Sequence, residues 1–195
     1  MSHKDVVISG FGGQGVILTG LVLGKTVSIY SDGYATMTQN FGPEARGGAC
    51  TAQVVVDDKP IRYPYVRKPD ILVAMSQEAY EKHCRNLSRD GLLLYDVELV
   101  SPDDGINGIR SYSIPAARFA EELGNPMALN MVMFGFLAGT SSIVEPEAAK
   151  KAISVSVPSQ YIELNMTAFD TGYKYGKGEL AREAIEKTVS TLQRS

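Results

Sequence analysis

The chain has 195 residues and a mass of 21.1 kDa, a size that one hydrophobic core can serve without splitting in two. Hydrophobic residues make up 44% and charged residues 21%, which excludes a disordered tail, a coiled coil or a collagen-like chain. A formal charge of -3 and a pI near 5.5 supply no basic field, so nucleic acid is not an expected partner.

Val6-Val7-Ile8 is a short apolar run between a charged start and glycines, the pattern of a central strand covered on both faces. A helix is expected over 16–30, directly after the glycines. Tyr34 to Thr38 reads as a second strand, but Gln39 to Gly48 is too glycine-rich and too short for a crossover helix. The alternating βαβ pattern breaks there. Cys50 to Val56 alternates and is β-branched, Asp57 to Pro60 is a turn, and Ile61-Arg62-Tyr63 is expected to pair back, giving an antiparallel excursion in a mixed sheet. Parallel α/β organisation resumes with a buried strand at 70–75, a helix through Glu78, Tyr80, His83 and Leu87, and a strand at 91–96. After a polar loop, 109–114 is a last strand and Pro115 opens a helix where its missing N–H costs nothing. The remainder reads as helices over 116–123, 126–137, 146–153, 160–175 and 179–192, the last with Leu180, Ala184, Thr188 and Leu192 on one stripe. The expected fold is therefore α/β, a Rossmann-like, mixed but mostly parallel sheet flanked by helices, with a helical C-terminal part. No repeat, linker or step in composition divides it, so 1–195 is expected to be a single unit.

Two cysteines, Cys50 and Cys84, make neither a disulfide framework nor a four-ligand zinc or iron–sulfur site. No signal peptide and no membrane-spanning stretch is legible, and a cytoplasmic location is expected. His3 and His83 are expected at the surface and Cys50 as a small buried residue. Asn130 and Asn165 are polar where packing prefers apolar groups, either satisfied core amides or residues lining an interface. Met127, Met131 and Met133 with Phe134 and Phe136 suggest a soft core or a subunit-facing surface.

The residues that carry function are concentrated in two loops. Gly10-Phe11-Gly12-Gly13-Gln14-Gly15 satisfies G-x-G-x-x-G between a strand and a helix, where backbone N–H groups cradle phosphate or pyrophosphate. Alternatively the glycines only permit a tight turn and close helix packing. A dinucleotide also requires an acidic residue closing the second strand. Asp32 precedes that strand, which ends in Thr38-Gln39-Asn40, so NAD is disfavoured while a pyrophosphate-bearing ligand survives. In Phe41 to Gly48, three glycines and a proline define a backbone path presenting Glu44 and Arg46, either to a ligand or to solvent.

These two loops, with Pro69-Asp70-Ile71-Leu72-Val73-Ala74-Met75 and Asn130-Met131-Val132-Met133-Phe134-Gly135, resemble the gamma subunit of the 2-oxoacid:ferredoxin oxidoreductases over nearly the whole chain. The resemblance implies an enzyme that converts a 2-oxoacid and coenzyme A to acyl-CoA and carbon dioxide, with thiamine diphosphate and iron–sulfur clusters passing electrons to ferredoxin or flavodoxin. This chain has no Gly-Asp-Gly thiamine motif and no Cys-x-x-Cys, so it is not catalytic alone. By resemblance, alpha-like and beta-like subunits carry thiamine diphosphate, and the beta-like or a ferredoxin-like delta subunit carries clusters. The gamma chain covers the site and contributes to coenzyme A binding. Gly10, Gly12, Gly13, Gln14 and Gly15 are assigned to the pyrophosphate, and Asn40, Glu44 and Arg46 to the channel for the thiol. The competing reading is a free-standing NAD(P)- or CoA-binding Rossmann-like protein.

Overall fold

Six strands form one sheet in the order β2-β3-β1-β4-β5-β6 in the computed structural model, which describes residues 3–42, 48–103 and 108–192. The strands are β1 Lys4–Phe11, β2 Tyr34–Phe41, β3 Ala49–Asp57, β4 Ile71–Ala74, β5 Leu92–Asp96 and β6 Arg110–Ile114. Apolar residues on both faces drive β1 and β4 to the centre, where Val6, Ile8, Leu72 and Ala74 are inaccessible to solvent. β1, β4, β5 and β6 run parallel, as short buried strands joined by crossovers do. β3 lies antiparallel to β1 and to β2, so it alone runs against the rest. The excursion expected after the first helix is therefore a β2–β3 hairpin inserted beside β1.

Ile61–Tyr63 was expected to pair back and does not. Both edges of β3 are already occupied, by β1 and β2, which leaves no ladder for another strand. The strands of the hairpin are also longer than the polar residues around 39–48 suggest, because Phe41 and Ala49 still sit in register with Cys50 and Phe11.

The two faces of the sheet are covered unequally. On one lie α1 Val16–Tyr30, α3 Ala116–Glu122, α4 Leu129–Thr140, α5 Pro146–Ser154 and α6 Ile162–Leu192, around a core that includes Leu23, Val54, Phe134, Phe136 and Phe169. On the other, α2 Gln77–His83 and a 3-10 turn at Cys84–Asn86 cover a smaller cluster of Val7, Leu72, Leu93, Tyr80 and Leu87. Ser76 starts α2 by accepting a hydrogen bond from Ala79 N, and Asn125 and Glu145 cap the 3-10 turn Pro126–Ala128 and α5 in the same way.

α4 is the centre of the helical layer, with every residue buried. Met131, Met133, Phe134 and Phe136 therefore belong to the chain's own core rather than to a subunit-facing surface, and only Met127, ahead of the helix, is exposed. Two expected C-terminal helices are one, α6. The expected break falls at Gly176 and Gly178, but the helix runs through it, and Cβ atoms added at Gly172 and Gly176 would meet α4 backbone at Val132, Phe136 and Gly139 across the crossing. These glycines serve close helix approach. The side chains of the expected stripe beyond Leu180 lie outside the described residues.

Candidate functional site at the start of α1

β1 ends at Phe11, and the chain reverses through a turn that the Gln14 side chain holds from both sides. Its Oε1 accepts from Phe11 N at 2.6 Å, and its Nε2 donates to Met75 O, at the end of β4, at 2.8 Å. Gln14 thus spans the carboxyl ends of two adjacent parallel strands. Gly12 N donates to Gly48 O at 2.8 Å and Gln14 N to Phe11 O at 3.1 Å, so these two amides are committed within the chain. Gly13 and Gly15 have φ of 99° and 74°, a region that favours glycine. A Cβ at Gly15 would also lie 2.6 Å from Asn130 Cγ.

Gly15 is the N-cap of α1, and no side chain caps it. Thr19 N donates to Gly15 O, which leaves the amides of Val16, Ile17 and Leu18 as the donors of a helix start with no partner among the described residues. They carry the positive end of a helix that has no acidic residue in its first turn to neutralise it. Beside them opens a cavity of about 290 Å³ between α1, α4 and α6. Gly15, Leu18, Asn130, Leu164, Asn165 and Tyr161 contribute to its walls. Asn130 is 2% exposed and donates to Gly15 O at 3.4 Å, while Asn165 donates to Tyr161 O at 2.7 Å. Among the described residues, neither amide's carbonyl oxygen accepts a hydrogen bond, so each is available to another donor. Apolar walls with a few placed amides and a helix start suit an extended ligand with an anionic group at one end.

The second loop meets this turn directly. Gly42 N donates to Ala49 O at 2.6 Å, and Gly48 O receives Gly12 N, so the carboxyl ends of β1 and β2 lie at one edge of the sheet. Glu44 and Arg46 fall outside the described residues. Asn40 is exposed and in register with Thr51. Ala35 and Met37 pack on the α1 side, so alternation puts Asn40 on the opposite face. It shares the edge with the glycine turn but not the cavity. β2 is separated from β1 by β3, and an acceptor closing β2 would stand two strands, about 10 Å, from the turn. That geometry removes the usual place for a ribose-binding acid.

Other polar groups are structural. His83 was expected at the surface but is half-buried, its Nε2 3.4 Å from Thr51 Oγ1, which lies 2.8 Å from Ser9 Oγ. Ser9 and Thr51 are 1% and 3% exposed, closed to any substrate, and burial holds the His83 pKa below its ordinary value. Burial also pushes both the Cys50 and Cys84 thiols up, away from nucleophilic character. Asp96, fully buried, was not singled out from sequence. Its carboxylate accepts from Glu98 N, Leu99 N and Ala117 N, tying the end of β5 to the start of α3. Its only signal was a charge closing an apolar strand. Among the described residues, no cluster of His, Cys, Asp or Glu is placed to hold a metal, and no helix is long and apolar enough to cross a membrane.

A fold with this inserted hairpin, and a glycine turn opening on an uncapped helix, defines a known class. Residues 5–175 match the pyruvate ferredoxin/flavodoxin oxidoreductase family, and the chain belongs to it as a gamma-type subunit. It is 45% identical over 177 residues to a 2-oxoglutarate synthase subunit, KorC, of Methanocaldococcus jannaschii, covering 90% of this chain and 95% of that one. The gamma subunit of a keto/oxoacid ferredoxin oxidoreductase from Geobacter sulfurreducens superposes with a TM-score of 0.80 at 31% identity, over 91% of this chain and 98% of that one. A 2-oxoglutarate:ferredoxin oxidoreductase from Magnetococcus marinus, determined with 2-oxoglutarate, coenzyme A and succinyl-CoA bound, shares the fold at a TM-score of 0.79. That match is 23% identical and covers 91% of this chain and 32% of that one. The chain is thus one subunit of a 2-oxoacid:ferredoxin oxidoreductase.

Proposed function

We propose that this chain forms a single unit over 1–195 that binds coenzyme A and covers the active site of a 2-oxoacid oxidoreductase, with 2-oxoglutarate as the substrate. The observation that carries the reading is the uncapped start of α1 opening on a mostly apolar cavity of about 290 Å³ lined by Asn130 and Asn165. Coenzyme A has the matching chemistry. Its pyrophosphate suits Gly13, Gly15 and the first amides of α1, and its pantetheine amides suit Asn130 and Asn165 on apolar walls. Gly12 and Gln14 shape the turn rather than contact the ligand, since their amides are engaged. Glu44 and Arg46, on the loop that leaves the same edge, order the channel, with Asn40 at its outer rim.

The remaining chemistry belongs to partners. The sequence lacks the thiamine motif and the cysteines for a cluster, so thiamine diphosphate and iron–sulfur clusters reside on alpha-like and beta-like subunits and a ferredoxin-like delta subunit. Electrons leave to ferredoxin or flavodoxin in the cytoplasm. The choice of 2-oxoglutarate rests on the likeness to the Methanocaldococcus subunit. This chain positions the thiol and excludes water, and moves no proton itself.

The test is Arg46→Ala in the assembled enzyme. Coenzyme A-dependent turnover falls far more than decarboxylation measured without coenzyme A. Equal losses in both assays would defeat the assignment. A second comparison, of 2-oxoglutarate against pyruvate and 2-oxoisovalerate in the wild-type enzyme, decides the substrate.

A further inference from the structure

Between β3 and β4 the chain runs for thirteen residues without regular structure and is rich in cations and tyrosine. Residues 59–69 hold Lys59, Arg62, Arg67 and Lys68 and no acidic residue, between flanking Asp57, Asp58 and Asp70, in a protein whose net charge is -3. None of the four cations is paired with a carboxylate among the described residues. Between them stand Tyr63 and Tyr65, 49% and 56% exposed. Their rings meet edge to face at 5.5 Å, and the Arg67 guanidinium lies over the Tyr63 ring at 4.8 Å.

The arm is fixed rather than loose. Val66 N donates to Gln53 Oε1 at 3.3 Å, and the Val66 side chain packs on the smaller core cluster. Asn86 Nδ2 donates to Arg67 O at 2.7 Å, and Ser88 N to Pro69 O at 2.8 Å. Three prolines, Pro60, Pro64 and Pro69, restrict the backbone further. Tyrosine and arginine, held in advance and exposed together, are the residues that dominate binding energy at protein interfaces. Among the described residues, no carboxylate pairs with the cations of this ridge.

We propose that the arm over 59–69 is a docking surface for an acidic face of another subunit of the oxidoreductase. Charge decides the kind of partner, since the arm's four cations outnumber the three carboxylates at its ends, favour a negative surface and repel a second copy of the same arm. The two tyrosines supply the desolvated centre of the contact and the cations its rim. The arm begins where β3 ends and leads into the start of β4, the edge of the sheet opposite the glycine turn, so docking here leaves the proposed coenzyme A site open. The inference rests on the reading of this chain as one subunit of a complex.

The test compares the wild-type chain with Arg62→Glu/Arg67→Glu and with Tyr63→Ser/Tyr65→Ser, each titrated onto enzyme depleted of this subunit. Hydrogen exchange of the arm is followed in the free chain and in the complex. The proposal expects arm amides to slow in the complex, and both double variants to bind about 30-fold or more weaker. Wild-type affinity should fall as salt rises, and the charge-reversed variant should lose that dependence. Unchanged melting temperatures show that these exposed substitutions leave the fold intact. Assembly with no protection of the arm, or with variants within twofold of wild type, overturns the docking surface and leaves the subunit reading standing. Failure of the wild type to bind the depleted enzyme overturns both, as does arm-dependent binding only to a polyanion such as heparin.

Discussion

Replacing Gly172 with alanine tests the most demanding contact in the fold. A Cβ there would strike Val132 O and lie 2.8 Å from Phe136 N, well inside the 3.4 Å at which ordinary van der Waals contact begins. The obstacle is the backbone of a fully buried helix, which has no rotamer to move. Overpacking of this kind costs about 1–3 kcal/mol, and the backbone obstacle places it at the upper end. Alanine returns about 1 kcal/mol through helix propensity. The net loss is about 2 kcal/mol, or a fall in Tm of about 4–8 °C for a chain of this size. Gly178→Ala is the control, because nothing lies within 4 Å of a Cβ at that position of the same helix. It should gain up to about 1 kcal/mol. Thermal and urea unfolding of the two variants read the difference. A Gly172→Ala protein as stable as Gly178→Ala would mean that α4 and α6 do not approach as described.

Two further outcomes follow from half-buried polar groups. Gln14→Glu keeps the acceptor for Phe11 N but cannot donate to Met75 O, and should cost about 1–3 kcal/mol in urea unfolding, with weaker coenzyme A binding in the assembled enzyme. His83, its pKa lowered by burial, binds protons more readily unfolded than folded, so its contribution to stability is intact above its unfolded pKa and declines as pH falls toward the folded value. Between about pH 7.5 and about pH 5, wild type should therefore lose more stability than His83→Gln. His3, whose pKa is raised chiefly by its bond to Asp57, acts with the opposite sign but is present in both proteins and cancels. An identical pH profile for the two would contradict the burial of the ring.

The parallel strands and the helix after the glycines were legible because period and punctuation agree there: an apolar run, two turns' worth of glycine, then a nearly uncharged helix. The hairpin was harder. Its extra pairing at Phe41 and Ala49 depends on strands distant in sequence, and the polar composition of the segment argues for loop. The long α6 was misread for a related reason, since Gly176 and Gly178 look like breakers until Gly176 is placed against Phe136 and Gly139 of α4. At the site, the pattern G-x-G-x-x-G identified the turn but not how its members divide the work. That Gln14 is a clamp between β1 and β4, and that Asn130 sits under Gly15, follow from contacts over 61 and 115 residues of sequence, which no local pattern reveals.

The central claim is that this chain supplies coenzyme A binding to a larger oxidoreductase. It is tested most directly by purifying the tagged chain anaerobically from its own host and assaying the product. Thiamine diphosphate, iron, co-eluting subunits and 2-oxoglutarate-dependent reduction of a viologen dye are measured with and without coenzyme A. The account predicts partners, both cofactors, and reduction that requires coenzyme A and falls with Arg46→Ala. A clean monomer without cofactor or activity, or a complex indifferent to coenzyme A, would contradict it.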